Sequence, residues 1–377
     1  MNEKSITTIT LKKINKKSVY QYIYEHRQTA KQQIVQDLTM GLSTVSQNLN
    51  VLEKEGLISR DGFFESTGGR KAQVIQIVPE YRIAVGVGIL KNMFHLAAVN
   101  LYGEAIAEET VAVPFAQSDA YYDGIASSLE SFLDRNGYDR EKILGVSIAT
   151  QGIPAPDGES VLYGEILHNT DMKLADFSTR IPYPCRLEHD SKAAASLELW
   201  NHPEIESAVV LLNRNLGGAV ITNHKVHQGL SMHSGTLEHI CIDPEGPECY
   251  CGQKGCLETY CSANALEAAA QMPVKEFFPA LRAGNDARLT EIWDAYLSHL
   301  AYAMKTANLL LDGAVIVSGY LAPYFKEEDC RTLLEKVDAA SPFPLVREQL
   351  LVGTHGQYTP AIGAALLFIE EFLQSEF

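Results

Sequence analysis

No stretch of the 377-residue sequence approaches the ~20 consecutive apolar residues that a membrane-spanning helix needs. The first residues, MNEKSITTITLKK, hold no apolar core of the kind that drives secretion. No low-complexity segment interrupts the chain. These absences set aside the membrane and secreted classes and predict a cytoplasmic protein with no membrane partner. Basic charge is also scarce: 31 Lys and Arg face 47 Asp and Glu, a formal net charge of −16. Taken over the whole chain, that excess of acid argues against nucleic acid. Cysteine is sparse and odd in number, seven in all, and five (Cys241, Cys249, Cys251, Cys256, Cys261) crowd into one short stretch. A disulfide framework is evenly counted, short and extracellular, so a local metal site fits the cluster better. Core material is ample: 46% of residues are hydrophobic and 21% charged, in a chain long enough for two or three domains.

The charge is unevenly distributed. Residues 1–78 hold 11 Lys and Arg against 7 Asp and Glu, a net +4, which leaves −20 for the rest. A basic head on an acidic body assigns any contact with a phosphate backbone to the head. Its pattern over residues 1–80 is that of a winged helix-turn-helix. Val19, Tyr20, Ile23 and Tyr24 have helical spacing, and a second helix is predicted over Ala30–Leu38. Met40-Gly41 turns the chain, and Ser43 is expected to cap a third helix. In that helix Val45, Leu49 and Leu52 face inward. Ser43, Gln47, Asn50 and Lys54 lie opposite, flanked by Thr44 and Ser46. These amides and hydroxyls suit base edges or phosphates in a major groove. Gly56 ends the helix. Two apolar segments, around Leu57–Ile58 and Val74–Val78, then predict a hairpin wing with STGGRK at its tip. Gly68 and Gly69 permit close approach to DNA, and Arg70 and Lys71 supply charge suited to a narrow minor groove. The predicted partner is double-stranded operator DNA.

After Pro79 the sequence turns to long apolar runs. Residues 83–104 and 208–229 each read as strand, tight turn, strand and glycine turn. A helix over Ala120–Asn136 follows the first. Ile143–Ala149 and Ala314–Ser318 have the character of buried strands, and Leu289–Leu311 and Pro360–Gln374 of helices. Two copies of one unit, about 120 residues apart, predict two similar α/β lobes across a cleft. The expected lobes are 81–190, joined by the C-terminal helix 360–377, and 191–359.

His239, Cys249, Cys251 and Cys256 form H-x9-C-x-C-x4-C, with Gly252 and Gly255 to turn the loop. Three thiolates and an imidazole satisfy tetrahedral zinc. Four protein ligands close the site, which makes it structural rather than hydrolytic.

The winged helix with STGGRK, then EHDSKAAA, then LEHICIDPEGPECYCGQKGCLETYCS together resemble the ROK family of repressors and sugar kinases, over essentially the whole chain. The resemblance implies an actin-like, ribonuclease-H-like two-lobed fold, a sugar in the cleft, and homodimers or homotetramers. It aligns Asp190 with the family's catalytic base, and Glu258 and His239 with sugar contacts; zinc would hold His239 toward a sugar hydroxyl. With Glu188 and His189 these residues make up the expected effector site. Asp190 also reads as a plain helix N-cap before Ala193-Ala194-Ala195. The family pattern does not use Cys241 and Cys261, which are expected as buried thiols.

The phosphate elements depart from the family. Its D-x-G-G-T-K is here Gly88-Ile89-Leu90-Lys91-Asn92-Met93, and its G-T-G-x-G-x-G is Asn213-Arg214-Asn215-Leu216-Gly217-Gly218-Ala219. Side chains at those positions block the backbone approach that phosphate binding uses, so kinase activity is not expected. The sugar motifs change too: G-E-I-G-H is Gly235-Thr236-Leu237-Glu238-His239, and E-N-D-A-N is Glu188-His189-Asp190-Ser191-Lys192. The expectation is a regulator, not an enzyme, that represses carbohydrate-use genes in response to a sugar or sugar phosphate. The rivals are a sugar kinase with a DNA-binding head, and a DNA-binding protein whose body only dimerises or docks a protein.

Overall fold

The computed structural model describes residues 8–65 and 71–376. They form two compact units. One comprises the chain up to Ile83, Asn100–Tyr102 and the chain from Ile369; the other comprises Ala84–Val99 and Gly103–Phe368. No helix of the described residues is long and apolar enough to cross a membrane.

The first unit contains α1 (Thr8–His26), α2 (Lys31–Asp37), α3 (Leu42–Lys54), β1 (Ile58–Ser59) and β2 (Gln76–Ile77). Val19, Tyr20 and Ile23 of α1, Ile34 of α2 and the predicted Val45, Leu49 and Leu52 stripe of α3 are all buried. The cap of α3 differs from expectation. Gly41, in extended conformation, is the N-cap, and Ser43 is the second helical residue. The carbonyl of Gly41 already accepts from the Val45 amide at 3.1 Å, so the helix begins before the hydroxyl is reached. At the other end Gly56 has φ +78°. Gly56 N donates to Glu53 O at 3.0 Å and Leu57 N to Leu52 O at 2.9 Å, the paired bonds of a Schellman stop. β1 and β2 pair antiparallel with Ile58 opposite Ile77, and bridges Phe63–Gln73 and Thr29–Ile75 extend the wing sheet.

The second unit is built on a repeat. Its first half holds β3 (Ile83–Ile89), β4 (Phe94–Val99), β5 (Ala105–Val111), α4 (Asp119–Arg135), β6 (Ile143–Thr150), a small hairpin of β7 (Ile153–Pro154) and β8 (Val161–Tyr163), α5 (Ala175–Ser178), β9 (Cys185–His189) and α6 (Asp190–Asn201). The second half holds β10 (Ser207–Leu212), β11 (Leu216–Thr222), β12 (Lys225–Val226), α7 (Glu258–Cys261), α8 (Ala263–Ala270), α9 (Val274–Ala283), α10 (Ala287–Leu311), β13 (Ala314–Ser318), α11 (Glu327–Ala340), β14 (Leu350–Val352) and the part of α12 (Thr359–Glu376) that precedes Ile369. The two five-stranded sheets run β5-β4-β3-β6-β9 and β12-β11-β10-β13-β14, the same order position by position. In each, the first three strands are antiparallel and the last two parallel. This is the duplicated α/β architecture that the two hairpin segments predicted. The sequence reading passed over β5, whose AIAEETV is only partly covered and lacks an apolar run.

Small residues let α6 and α12 pack closely within this unit. A Cβ on Gly363 would lie 1.7 Å from Ala193 O, and one on Gly86 would lie 1.7 Å from Ala361 O. Ala149, Ala193 and Ala364 form a buried cluster beside them. The start of α6, where Asp190 sits, is therefore fixed by backbone packing.

Candidate functional site

One nitrogen of His239 and the sulfurs of Cys249, Cys251 and Cys256 all lie within 4.8 Å of one another. Cys249 Sγ is 4.0 Å from His239 Nδ1, and Cys251 Sγ is 3.7 Å from Cys256 Sγ. The second ring nitrogen, Nε2, faces Tyr250 Oη at 3.4 Å. The loop reaches this shape through Gly252 (φ +82°) and Gly255 (φ +69°), where an added Cβ would fall 1.6 Å from Asp243 O. Burial pushes the Cys249 thiol up to about 12 and Cys256 up to about 11. A dication is the partner that makes such buried sulfurs thiolates at neutral pH. The donor set fits a thiophilic metal ion. Cys261 is buried as expected, but Cys241 is exposed, because it lies on the outer strand of the loop with its sulfur 3.5 Å from Lys254 O.

Beside this cluster is a cavity of about 30 Å³, room for roughly two waters. His189, Asp190, Glu238, His239, Tyr250 and Gln151 are among its walls. His189, not Asp190, is the N-cap of α6, so the plain capping role considered for Asp190 does not apply. Asp190 Oδ1 accepts from Ser191 Oγ at 3.2 Å and lies 3.5 Å from His189 Nε2. Burial pushes Asp190 up to about 6 and His189 down to about 3, with the Lys192 charge adding to the latter. Burial likewise raises Glu238 to about 8, and its Oε2 has no hydrogen-bond partner among the described residues; nor has His189 Nδ1. Lys192 is buried, and its Nζ donates to His227 O at 2.8 Å and to Ser234 O. Each unpartnered buried acceptor costs about 1–3 kcal/mol, which a ligand donating hydroxyls would recover.

The structure brings His189, Asp190 and His239 to this cavity but not the other two expected effector residues. Glu188 lines a neighbouring cavity of about 540 Å³ that also reaches His189. Glu258 is turned to the β10–β11 turn, where its oxygens accept from Asn215 Nδ2 at 2.8 Å and from Leu216 N at 2.6 Å. Gln151, Tyr163, Glu165 and Tyr250 were not anticipated. Tyr250 alone carried a signal, standing between Cys249 and Cys251.

Where the family's phosphate loops would face each other, the chain leaves about 10 Å³, room for a single water. Leu90, His95, Asn213 and Gln357 are among the residues that line it. Arg214 is held by Glu267 at 2.6 Å and lies 4.9 Å over the Tyr320 ring.

In the head, Ser43, Gln47 and Lys71 are exposed and Thr44 and Ser46 half-buried. Ser46 Oγ donates to Leu42 O at 2.7 Å, and Asn50 Oδ1 accepts from Arg60, which also pairs with Glu53 at 3.2 Å. Arg70 lies outside the described residues. Arg60, Phe63 (64% exposed), Lys31 and Gln73, none of them anticipated, join Lys71 around a depression of about 370 Å³.

Comparison with known proteins agrees with this architecture. The chain is 24% identical over 383 residues to the DNA-binding transcriptional dual regulator NagC of Escherichia coli (strain K12), covering 95% of this chain and 92% of that one. It is 26% identical over 261 residues to a protein of Caldicellulosiruptor sp. (strain Rt8B.4) named for xylose repression, covering 68% of this chain; the match spans 65% of that relative's length. The structure superposes on a ROK family transcriptional regulator, described as a homologue of the E. coli MLC protein, with a TM-score of 0.72 and 17% identity over 97% of this chain and 98% of that one. A ROK family glucokinase from Streptomyces griseus, in complex with glucose and AMPPNP, superposes with a TM-score of 0.66 and 20% identity over 76% of this chain and 98% of that one. The model of the ROK family matches residues 82–371. The winged head on a duplicated actin-like body, and a family match over most of the sequence, place this chain in the ROK family.

Proposed function

We propose that this protein is a sugar-responsive repressor that binds operator DNA through its winged helix, holds structural zinc at His239, Cys249, Cys251 and Cys256, and transfers no phosphate. The head carries the reading. The regulator structure covers 97% of the chain, head included, whereas the glucokinase accounts for 76% of it. Ser43, Thr44, Gln47 and Lys71 are the available DNA contacts, with Arg70 of the STGGRK segment proposed beside them, while Ser46 and Asn50 support the helix surface and its Arg60 neighbour. His189, Asp190, Glu238 and His239 would hold the effector, a sugar or sugar phosphate. Effector binding would move the walls of this narrow cavity. That movement is the means by which differential affinity shifts the DNA-binding equilibrium. The side chains that replace the family's phosphate-loop glycines, and the narrow space they border, support the absence of kinase activity. Cytoplasmic residence and a two-fold dimer or a tetramer complete the proposal.

The test is selection of duplex sequences by the full-length protein, followed by titration of the selected duplex with sugars and sugar phosphates, with and without ATP. Sequence-specific binding released by one ligand class, and no phosphorylated product, is the expected result. Failure to enrich any duplex, or turnover of ATP with a sugar, overturns it.

A further inference from the structure

Cys241 lies beside the metal cluster without belonging to it. It is an exposed thiol, and its antiparallel bridge partner is Cys256, a buried member of the cluster. Two backbone bonds set the geometry: Ile242 N to Gly255 O at 2.8 Å and Leu257 N to Ile240 O at 2.9 Å. Because these bonds join the residues on either side, Cys241 and Cys256 form a non-hydrogen-bonded pair. Such pairs bring Cα atoms to about 4.5 Å and their side chains closer than other cross-strand pairs. Disulfides span Cα separations of about 4.4–6.8 Å, a range that takes in a pair of this type. The thiol of Cys241 is held only by a 3.5 Å contact to Lys254 O, which a side-chain rotation gives up at little cost.

We propose that Cys241 is an oxidation site through which a peroxide opens the metal centre, by forming a Cys241–Cys256 disulfide and expelling the ion. The proposal rests on the zinc reading of the cluster. In the first step the Cys241 thiolate attacks hydrogen peroxide; an S–O bond forms, the O–O bond breaks, and hydroxide leaves a sulfenic acid behind. In the second, the Cys256 sulfur attacks that sulfenic sulfur, the S–S bond forms, and the S–O bond breaks with loss of hydroxide. The two sulfurs give up two electrons, one peroxide is reduced to two hydroxides that solvent protonates to water, and the zinc that Cys256 held leaves as the free dication. Exposure sets the order. Cys249 and Cys256 are buried and Cys251 half-buried, so peroxide meets Cys241 first. Losing Cys256 leaves the ion three donors where a closed structural site needs four. The effect reaches the effector cavity because His239 belongs to both.

The test treats full-length protein, as purified, with hydrogen peroxide. A chromophoric chelator follows zinc release, and non-reducing peptide mapping identifies the bond. The expected results are a Cys241–Cys256 peptide, about one zinc released per chain, and release at least tenfold slower in Cys241→Ser. That variant should retain its zinc before treatment. Release at the wild-type rate from Cys241→Ser overturns the proposal, as does a Cys251–Cys256 bond with Cys241 left as thiol. Protein that contains no zinc at the outset defeats the zinc reading instead, and peptide mapping alone then decides whether the Cys241–Cys256 bond forms.

Discussion

Replacing Asp190 by Asn should stabilise the unliganded protein, and more so as the pH rises. Burial lifts the Asp190 carboxyl from 3.8 to about 6. An acid whose folded pKa is raised binds more protons in the folded state between those two values. Folding stability is therefore lost progressively as pH climbs from about 4 through 6, and the full penalty applies above that. That rise corresponds to about 3 kcal/mol at pH 8, falling to roughly half as much at pH 5. Asn removes this penalty but weakens the 3.2 Å bond from Ser191 Oγ and the 3.5 Å contact with His189, a loss of about 1 kcal/mol. The net gain should be roughly 2 kcal/mol at pH 8 and under about 1 kcal/mol at pH 5, with the difference set by titration alone. His189 acts in the opposite direction. Its pKa is depressed to about 3, so its contribution is lost as pH falls, and it is common to both proteins. Urea unfolding of the pair at pH 5, 6, 7 and 8 isolates the Asp190 effect. A difference that is flat with pH, or largest at pH 5, refutes the claim that this carboxylate is held buried and ionised at neutral pH. The same variant should lose the effector response, since the oxygen it neutralises faces the cavity.

How much was legible in the sequence follows the range of the signal. The Val45, Leu49 and Leu52 stripe and the bounds of β13 came through because periodicity and short apolar runs are local. The cluster of His239, Cys249, Cys251 and Cys256 was legible for the same reason: its three cysteines lie within eight residues. The family resemblance supplied Asp190 and His239. The cavity walls did not come through, because Gln151, Tyr163 and Glu165 arrive from loops around the β7–β8 hairpin that carry no motif of their own. Nor does a sequence say which way a carboxylate turns. Glu258 looked like a sugar contact, yet its neighbours offer it an amide and a backbone N–H within 2.8 Å, and these donors hold it against the turn. The place of Ser43 illustrates a smaller failure. A favourable cap residue two positions beyond the turn is passed over once the turn's own glycine carbonyl starts the helix.

Three further outcomes are expected. Lys71→Ala should lower the slope of log affinity against log salt by about one unit for any duplex, whereas Gln47→Ala should relax sequence preference with little change in slope; equal effects from both would mean that α3 does not read bases. Glu258→Ala strips the acceptor from the buried Leu216 amide and from Asn215, a loss of about 3–5 kcal/mol in unfolding free energy; a loss under about 1 kcal/mol would show that water takes over both bonds. The last concerns Gly255, which the metal loop requires for two separate reasons. Its φ of +69° is disfavoured for any residue with a side chain, at about 1–2 kcal/mol, and its Cβ would occupy the position of Asp243 O, 1.6 Å away. Because Ile242 N and Gly255 O pair the two strands of the loop, the backbone cannot retreat without breaking the bridge that carries Cys256. Gly255→Ala should therefore give protein that has lost its metal by elemental analysis. Gly252→Ala, where φ is +82° but the space around the Cβ is open, should show only the conformational cost and retain the ion. Full metal content in Gly255→Ala would refute the packing of this loop.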